Sequence, residues 1–238
     1  MTVCAADRTR PQRAVVWNEW IGGPGARPPA GFATAEEAIS DVRAGRFVVV
    51  LDAQERENEG DLVIAAAFAG PDAINMMATH ARGLVCVALT GERCDTLGLR
   101  RLPDTGARPH AAAFTVSVEA RAGVSTGIST HDRAHTIAVV IDPATTAQDI
   151  VRPGHVLPLR ARDGGVLERA GHTEAAVDLA RLAGVGPAAV VCTIINDDGT
   201  MARPDDLLRW CERHRIRLVS TSELVAYRLR TDALADAG

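Results

Sequence analysis

Two short runs of apolar residues frame the first strongly polar segment of the chain. Phe47–Leu51 and Leu62–Ala66 are apolar throughout, and each run is too short for a helix. Such runs are typical of strands buried on both faces of a sheet, because a strand with one wet face alternates apolar and polar residues. The sequence therefore predicts two buried strands joined by a polar loop over residues 52–61.

The same alternation of helix and strand patterns extends along the chain. Thr34 and Glu37 form a capping box and Gly45 provides a stop, which predicts a helix over 34–44. Further helices are predicted over 72–82, 91–98, 131–141, 173–183, 204–214 and 221–229, and further strands over 84–89, 114–118, 155–160, 189–195 and 216–220.

Interleaved strands and helices favour an α/β (α+β) fold in which one mixed β-sheet is sandwiched between helix layers. Residues 1–31 are rich in Pro, Gly and Arg and show no periodicity, so we interpret them as a flexible N-terminal extension. Residues 32–230 form the single predicted domain, and residues 231–238 are interpreted as a C-terminal tail.

Composition narrows the classes of function. The chain has 238 residues, enough to bury a core, and its 26 basic and 30 acidic residues give a formal net charge of −4. Without a basic tail or stripe, nucleic acid is not an expected partner. Every basic residue is arginine, which excludes the chemistry of Schiff-base and P-loop lysines.

Five widely spaced cysteines occur without a C-x-x-C pair, so neither a disulfide framework nor a zinc ribbon is expected. A reducing cytoplasm is the simplest setting for them. The N-terminus lacks the apolar core of a signal peptide, and no apolar run approaches the ~20 residues that span a bilayer. We therefore expect a cytoplasmic protein with no membrane segment.

The loop over 52–61 concentrates acidic residues, with five among ten positions. Extended backbone alternates its side chains, so Glu57, Glu59 and Asp61 can point the same way, and Gly60 permits a turn or the close approach of a ligand. Three carboxylates on one face are tolerable where they bind a hard divalent cation, share protons or face open water. The sequence leaves both a metal site and a solvated loop open.

A second candidate site precedes the predicted helix over 173–183. His172 and Thr173 open this helix after Gly171, with Arg169 close by. Backbone N–H groups at a helix N-terminus and a planar guanidinium suit a phosphate, and His172 is placed to ligate a metal beside it. The alternative is that His172 and Thr173 only cap the helix.

Two turns could carry further chemistry. Residues 123–129 include Ser125 and Thr126, whose hydroxyl and backbone donors suit an anionic oxygen. The Asn-Asp-Asp-Gly segment at 196–199 is typical of an ordinary turn.

Taken together, these segments resemble the 3,4-dihydroxy-2-butanone 4-phosphate synthase family, the riboflavin-pathway enzymes that act on ribulose 5-phosphate. The motifs are RENEGDL at 56–62, FTVSV at 114–118, GVSTGIS at 123–129, RPGHVLPLRA at 152–161, GHTEAAVDL at 171–179 and NDDGTMAR at 196–203. The resemblance covers about residues 33–230. No second enzymatic domain follows, so the chain resembles the monofunctional form rather than the fusion with GTP cyclohydrolase II.

The resemblance implies a homodimer that uses Mg²⁺ or Mn²⁺. By position, Glu57 and His172 would bind the metal, Glu59 and Asp61 would handle protons, and His155 matches a histidine needed for activity. The implied substrate-binding residues are Arg56, Asp61, Ser125, Thr126, Arg169, Gly171 and Thr173. The implied reaction is enolisation of the ketose, loss of the C1 hydroxyl, a shift of the carbon skeleton and release of C4 as formate.

One position and one segment depart from the family pattern. Thr193 stands where the family has an essential catalytic Glu, and loss of one positioned acid or base costs about 10²–10⁴-fold in rate. Residues 102–110 replace the usual Pro-Met-Val segment and the Asn after it. Thr193 keeps two alternatives open: a relative that enolises and dehydrates a pentulose phosphate to a different product, or a catalytically silent sugar-phosphate binder.

Overall fold

A seven-stranded mixed sheet runs through the middle of the chain in the computed structural model, which describes residues 28–53, 56–103, 106 and 112–235. The strands are β1 Val48–Leu51, β2 Gly60–Ala65, β3 Cys86–Leu89, β4 Val118–Ala120, β5 Ile150–Arg160, β6 Ala188–Thr193 and β7 Arg217–Ser220. The helices are α1 Ala35–Arg43, α2 Pro71–Met76, α3 Gly91–Thr96, α4 Thr130–Ile141, α5 His172–Leu182, α6 Pro204–His214 and α7 Thr221–Ala235.

The strands lie in the order β4-β5-β3-β6-β2-β1-β7. The β3–β5 and β1–β7 pairs are parallel, and the other neighbouring pairs are antiparallel. In the antiparallel β2–β6 pair, Asp61 is the direct partner of Thr193. Directly paired residues share a face of the sheet, so these two side chains point to the same side.

Alternate residues of each strand enter two separate cores. Val48 and Val50 pack with α1, α5 and α7, whereas Val49 and Leu51 belong to the core that contains residues of α2, α3, α4 and α6. All four residues of β1 are buried, as expected for a strand covered on both faces. The predicted mixed sheet between helix layers is confirmed.

The largest difference from the predicted elements is at the β4–β5 edge. The strand predicted over 114–118 instead lies at Val118–Ala120, and Phe114 forms only an isolated bridge. β5 begins at Ile150, five residues before its predicted start. The prediction began too late because β5 contains Pro153 and Gly154. Proline and glycine normally argue against a strand, and the register shift beside Val118 shows the irregular pairing that accommodates them.

The last helix of the chain is longer than the sequence predicts. α7 continues to Ala235, beyond residue 230 where the predicted domain gives way to a tail. Most of the predicted N-terminal extension, residues 1–27, lies outside the described residues, as do residues 236–238. Within the described part of the chain, no helix combines the length and apolar character that a membrane crossing requires.

Candidate active site

The acidic loop between β1 and β2 is organised by Asp52, a buried residue at its start. The Asp52 carboxylate accepts hydrogen bonds from the backbone N–H of Glu59 at 3.0 Å and of Glu57 at 3.3 Å. It also accepts one from Nε of Arg56 at 3.3 Å. These bonds fold the loop back onto its first residue and fix the positions of Glu57 and Glu59, while residues 54–55 lie outside the described part of the chain.

Arg203, the last residue of the NDDGTMAR motif, holds the loop from the other side. Its Nη1 donates to the backbone oxygens of Glu57 at 2.7 Å and Asn58 at 3.0 Å, and it lies 3.8 Å from Oε1 of Glu59. Asn58 has a positive φ of 53°, which Asn tolerates better than most residues. The loop is therefore fixed by two side chains that are 151 positions apart in sequence, Asp52 and Arg203.

His172 brings the N-terminus of α5 to this loop. Its Nε2 lies 3.0 Å from the backbone oxygen of Glu59, and its Nδ1 lies 4.0 Å from Oε2 of Glu57. When Nε2 carries the proton and donates to the Glu59 carbonyl, Nδ1 presents its lone pair toward Glu57. Histidines that ligate metals usually donate their other ring N–H to a carbonyl or carboxylate in this way.

The geometry of Asp52, Glu57 and His172 fits a divalent cation. One potential ligand atom from each residue lies within 4.8 Å of the others. The 4.0 Å between His172 Nδ1 and Glu57 Oε2 is too long for a hydrogen bond. One ion can span it, because two Mg²⁺–ligand bonds of about 2.1 Å reach at most about 4.2 Å. The two carboxylates suit Mg²⁺ or Mn²⁺, whereas the imidazole is a ligand more typical of other transition metals.

The concentration of negative charge shifts the pKa values in the site. Burial acts to lower the pKa of His172, but the charges of Asp61 and Asp52 outweigh it, so the pKa lies above its ordinary value. Burial, followed by the neighbouring charge of Glu57, raises the pKa of Glu59. A carboxyl group with a raised pKa can take up and release protons closer to neutral pH.

Gly171 lies where two guanidinium groups converge beside the start of α5. A side chain at this position would collide with Nη1 of Arg169 and come within 3.0 Å of Nη2 of Arg56. Glu174 is almost fully buried and forms an ion pair of 2.5 Å with Arg169. Thr173, the residue before Glu174, is also buried. The geometry places two arginines and a helix N-terminus around one glycine, which suits a phosphate.

Asp61 and Thr193 form the part of the site that lies on the sheet itself. Asp61 is buried, and its Oδ1 has no hydrogen-bond partner among the described residues. Cys86 lies near enough that the charge of Asp61 adds to the effect of burial, which raises the pKa of this thiol to about 12. Cys86 is therefore a neutral thiol near pH 7, as a core cysteine is, and not a nucleophilic thiolate.

His155 lies in a second cluster, at the β4–β5 edge. Its Nδ1 is 2.6 Å from Oε2 of Glu119, and the hydroxyl of Thr136 donates to Oε1 of the same carboxylate at 3.1 Å. Gly127 packs against this pair, because a side chain there would collide with both Glu119 and His155. Glu119 thus fixes one ring nitrogen of His155, and Nε2 has no hydrogen bond to any residue that the structure describes.

The turn that contains Ser125 and Thr126 borders the same cluster and is held by Asp132. The Asp132 carboxylate accepts from the Ser125 hydroxyl at 2.7 Å, the Ser125 N–H at 3.1 Å and the Gly127 N–H at 3.0 Å. These bonds, led by the Ser125 hydroxyl, lower the pKa of Asp132 to about 2. Three donors that were expected to meet a phosphate therefore bind Asp132 instead. The hydroxyl of Thr126, which is exposed, is not one of them.

The structure thus separates the sequence-derived residues into two groups. Arg56, Glu57, Glu59, Asp61, Arg169, Gly171, His172, Thr173 and Thr193 lie around the β1–β2 loop, the start of α5 and the adjoining ends of β2 and β6. Ser125, Thr126 and His155 lie at the β4–β5 edge. β3 and β6 stand between β5 and β2 in the sheet, so one chain keeps the two groups apart.

Several residues that build these groups escaped the sequence analysis. Asp52 was counted among the loop acids without a role, and Glu119, Asp132, Glu174 and Arg203 were not singled out. All five act through contacts with side chains or backbone at least five positions away in sequence. Two of them could have been identified from the sequence, because Glu174 and Arg203 occur inside the motifs GHTEA and NDDGTMAR.

Comparison with known proteins shows which family this chain matches. The pattern of the 3,4-dihydroxy-2-butanone 4-phosphate synthase family matches residues 36–227. The chain is 52% identical over 207 residues to the riboflavin biosynthesis protein RibBA of Aquifex aeolicus, covering 86% of this chain and 51% of that protein. It is 50% identical over 200 residues to the 3,4-dihydroxy-2-butanone 4-phosphate synthase of Neisseria meningitidis serogroup B, covering 84% and 55%. The chain spans about half the length of these curated relatives.

Solved structures share the fold. A two-domain 3,4-dihydroxy-2-butanone 4-phosphate synthase of A. baumannii, RibBX, is 48% identical with a TM-score of 0.80, covering 84% of this chain and 59% of that one. A 3,4-dihydroxy-2-butanone 4-phosphate synthase in complex with two magnesium ions is 38% identical with a TM-score of 0.80, covering 84% and 99%.

Proposed function

Because the chain belongs to the 3,4-dihydroxy-2-butanone 4-phosphate synthase family, we propose that it converts D-ribulose 5-phosphate to 3,4-dihydroxy-2-butanone 4-phosphate and formate. This makes it a carbon–carbon lyase of riboflavin biosynthesis. The observation that carries the proposal is the Asp52, Glu57 and His172 cluster beside the paired arginines at Gly171. A divalent cation and a phosphate can be held side by side there.

Glu57 and His172 would hold Mg²⁺ or Mn²⁺, with Asp52 positioning the loop and offering a third oxygen. When bound, the cation acidifies the proton next to the ketose carbonyl and stabilises the enediolate that results. A related synthase of known structure holds two magnesium ions, which supports a divalent metal here.

Arg169 and Arg56 would hold the substrate phosphate with the N-terminal N–H groups of α5. Glu174 keeps the Arg169 guanidinium in place, so the substrate meets a fork that is already oriented. Gly171 gives the phosphate room to approach the backbone, and Thr173 adds a hydroxyl. Anchoring the phosphate end fixes the distance from the sugar carbons to the acidic loop.

Proton transfers would fall to Glu59 and Asp61, which flank Gly60 at the start of β2. Glu59 has a raised pKa, and Asp61 presents a buried oxygen with no other partner among the described residues. Thr193 offers no carboxylate beside them. We therefore propose that the family reaction proceeds here with Asp61 and Glu59 as the carboxyl groups nearest the substrate, and at a reduced rate.

We further propose that the chain works as a homodimer. His155 and the turn at 125–127 are apart from the metal cluster within one chain, and a second copy can supply them to it.

We also propose that the chain acts in the cytoplasm. The support for this is that the four described cysteines, Cys86, Cys94, Cys192 and Cys211, are free thiols, as in a reducing compartment.

The function is tested by incubating the purified chain with D-ribulose 5-phosphate and Mg²⁺ and identifying the products by carbon NMR. We expect 3,4-dihydroxy-2-butanone 4-phosphate and formate, loss of turnover with EDTA and recovery with Mg²⁺ or Mn²⁺. Glu57→Gln should lower turnover by at least about 10–100-fold, since outer-shell changes alone cost that much.

Glu92→Gln is the matched control, because it removes an exposed carboxylate from α3, away from the acidic loop. It should retain wild-type turnover. Full activity in a rigorously metal-free sample, or a different sugar product, would contradict the proposal.

A further inference from the structure

A cavity of about 570 Å³ beside the end of β5 is lined by four arginines. They are Arg100, Arg101, Arg160 and Arg162, and the only acidic residue among the described lining residues is Asp95. The cavity contains none of the residues assigned above to metal, phosphate or proton transfer. Its volume is within the range of pockets that bind small molecules.

Two of the four arginines in this cavity, Arg100 and Arg162, have no ion pair within the described part of the chain. Arg160 and Asp95 form a two-point ion pair with N–O distances of 2.5 and 2.9 Å, so these two charges cancel. Arg100 and Arg162 are exposed. The whole chain carries a net charge of −4, so this concentration of positive charge is local and runs against the overall charge.

Planar guanidinium groups bind phosphate oxygens through two parallel N–H···O bonds, and several forks around one cavity suit a group with two or more negative charges. We propose that this cavity binds a small phosphorylated molecule, held chiefly by Arg100 and Arg162. The absence of an extended basic stripe along the sequence favours a free small molecule over a nucleic acid backbone.

The cavity adjoins the proposed substrate site through one buried carboxylate. The backbone N–H of Arg162 donates to Oε1 of Glu174 at 3.0 Å, and Oε2 of Glu174 holds Arg169. The Arg162 contact uses the backbone only. Replacing the side chain of Arg162 therefore leaves Glu174 and Arg169 anchored, and the two sites can be altered separately.

Calorimetric titration with inorganic pyrophosphate tests the proposal. The wild type should show two binding events, one at the Arg169 site and one at the arginine cavity. Arg100→Gln with Arg162→Gln should weaken one event by at least about tenfold, because each charge-assisted hydrogen bond contributes roughly a factor of ten or more. Arg169→Gln should weaken the other event and leave the cavity event intact.

Arg209→Gln with Arg213→Gln is the control, since it removes two exposed positive charges from α6. This variant should bind as the wild type does, and thermal unfolding should show that all variants are folded. A single event in the wild type that only Arg169→Gln weakens would overturn the cavity proposal and leave the proposed function intact. Equal weakening by the α6 control would also overturn it, because binding would then follow net charge alone.

Discussion

At the scale of single residues, the pairing of Thr193 with Asp61 is the most consequential feature of the site. Both side chains are on the same face of the sheet, and Oδ1 of Asp61 is buried without a partner among the described residues. A carboxyl group at position 193 would lie directly opposite Asp61 on the neighbouring strand and would share protons with it. Two carboxylates on directly paired residues cannot both ionise at low cost. Threonine removes that second proton carrier.

We therefore expect Thr193→Glu to raise the rate of formate release from ribulose 5-phosphate. The gain is at most about 10²–10⁴-fold, the usual contribution of one positioned acid or base. Thr193→Gln is the control, since it has the size of Glu without the charge and should give no gain. An unchanged rate in Thr193→Glu would show that Asp61 and Glu59 suffice without a carboxylate at position 193.

At the scale of elements, the approach to β3 fixes the position of Thr193. Gly83 packs so closely on β6 that a side chain there would collide with the backbone oxygen and nitrogen of Thr193. Backbone atoms cannot move aside as the end of a flexible side chain can. The segment before β3 therefore positions the strand end that carries part of the site.

Gly83→Ala is expected to lower the free energy of unfolding by about 1–3 kcal/mol, the usual cost of overpacking. It should also reduce turnover, because the end of β6 must shift. Denaturant unfolding and the formate assay measure the two effects. Gly70→Ala is the control, since nothing lies within 4 Å of the added carbon. A Gly83→Ala variant as stable and as active as the wild type would contradict the close packing.

Elements with local signals were predicted well, and elements that depend on distant partners were not. The capping box of Thr34 and Glu37 is present at the start of α1, because those bonds form within one turn of the chain. The first half of β5 was missed, since its Pro153 and Gly154 are tolerated only through irregular pairing with β4.

The candidate site shows the same division. Glu57 and His172 were identified from motifs, and the structure brings their ligand atoms within 4.0 Å. The bonds that hold them come from Asp52 and Arg203, and Arg203 reaches the loop from 146 positions away. Such contacts exist only once the chain has folded, so no local pattern predicts them.

At the scale of the whole molecule, the separation of the two groups within one chain is the observation behind the proposed homodimer. The sheet interposes β3 and β6 between the His155 cluster and the acidic loop. An enzyme that needs both groups in one site must obtain one of them from a second copy. A symmetric dimer would then contain two equivalent sites, each built from both chains.

Mixing two inactive variants tests this arrangement. Glu57→Gln and His155→Gln should each lack activity as homodimers, whereas mixed dimers should contain one site with both residues intact. Refolding an equal mixture should restore about a quarter of wild-type activity, given random pairing into symmetric dimers. If differently tagged mixed dimers form and no activity returns, the two groups do not share a site.

We expect this chain to excise one carbon of a sugar phosphate at the site built by Glu57, His172 and the two arginines around Gly171. The most direct measurement uses D-ribulose 5-phosphate labelled with ¹³C at C4 only, incubated with the wild type and Mg²⁺ and followed by carbon NMR. The label is expected to leave the sugar and appear as formate, and EDTA is expected to prevent its release. Label retained in a phosphorylated five-carbon product, or formate without label, would contradict it.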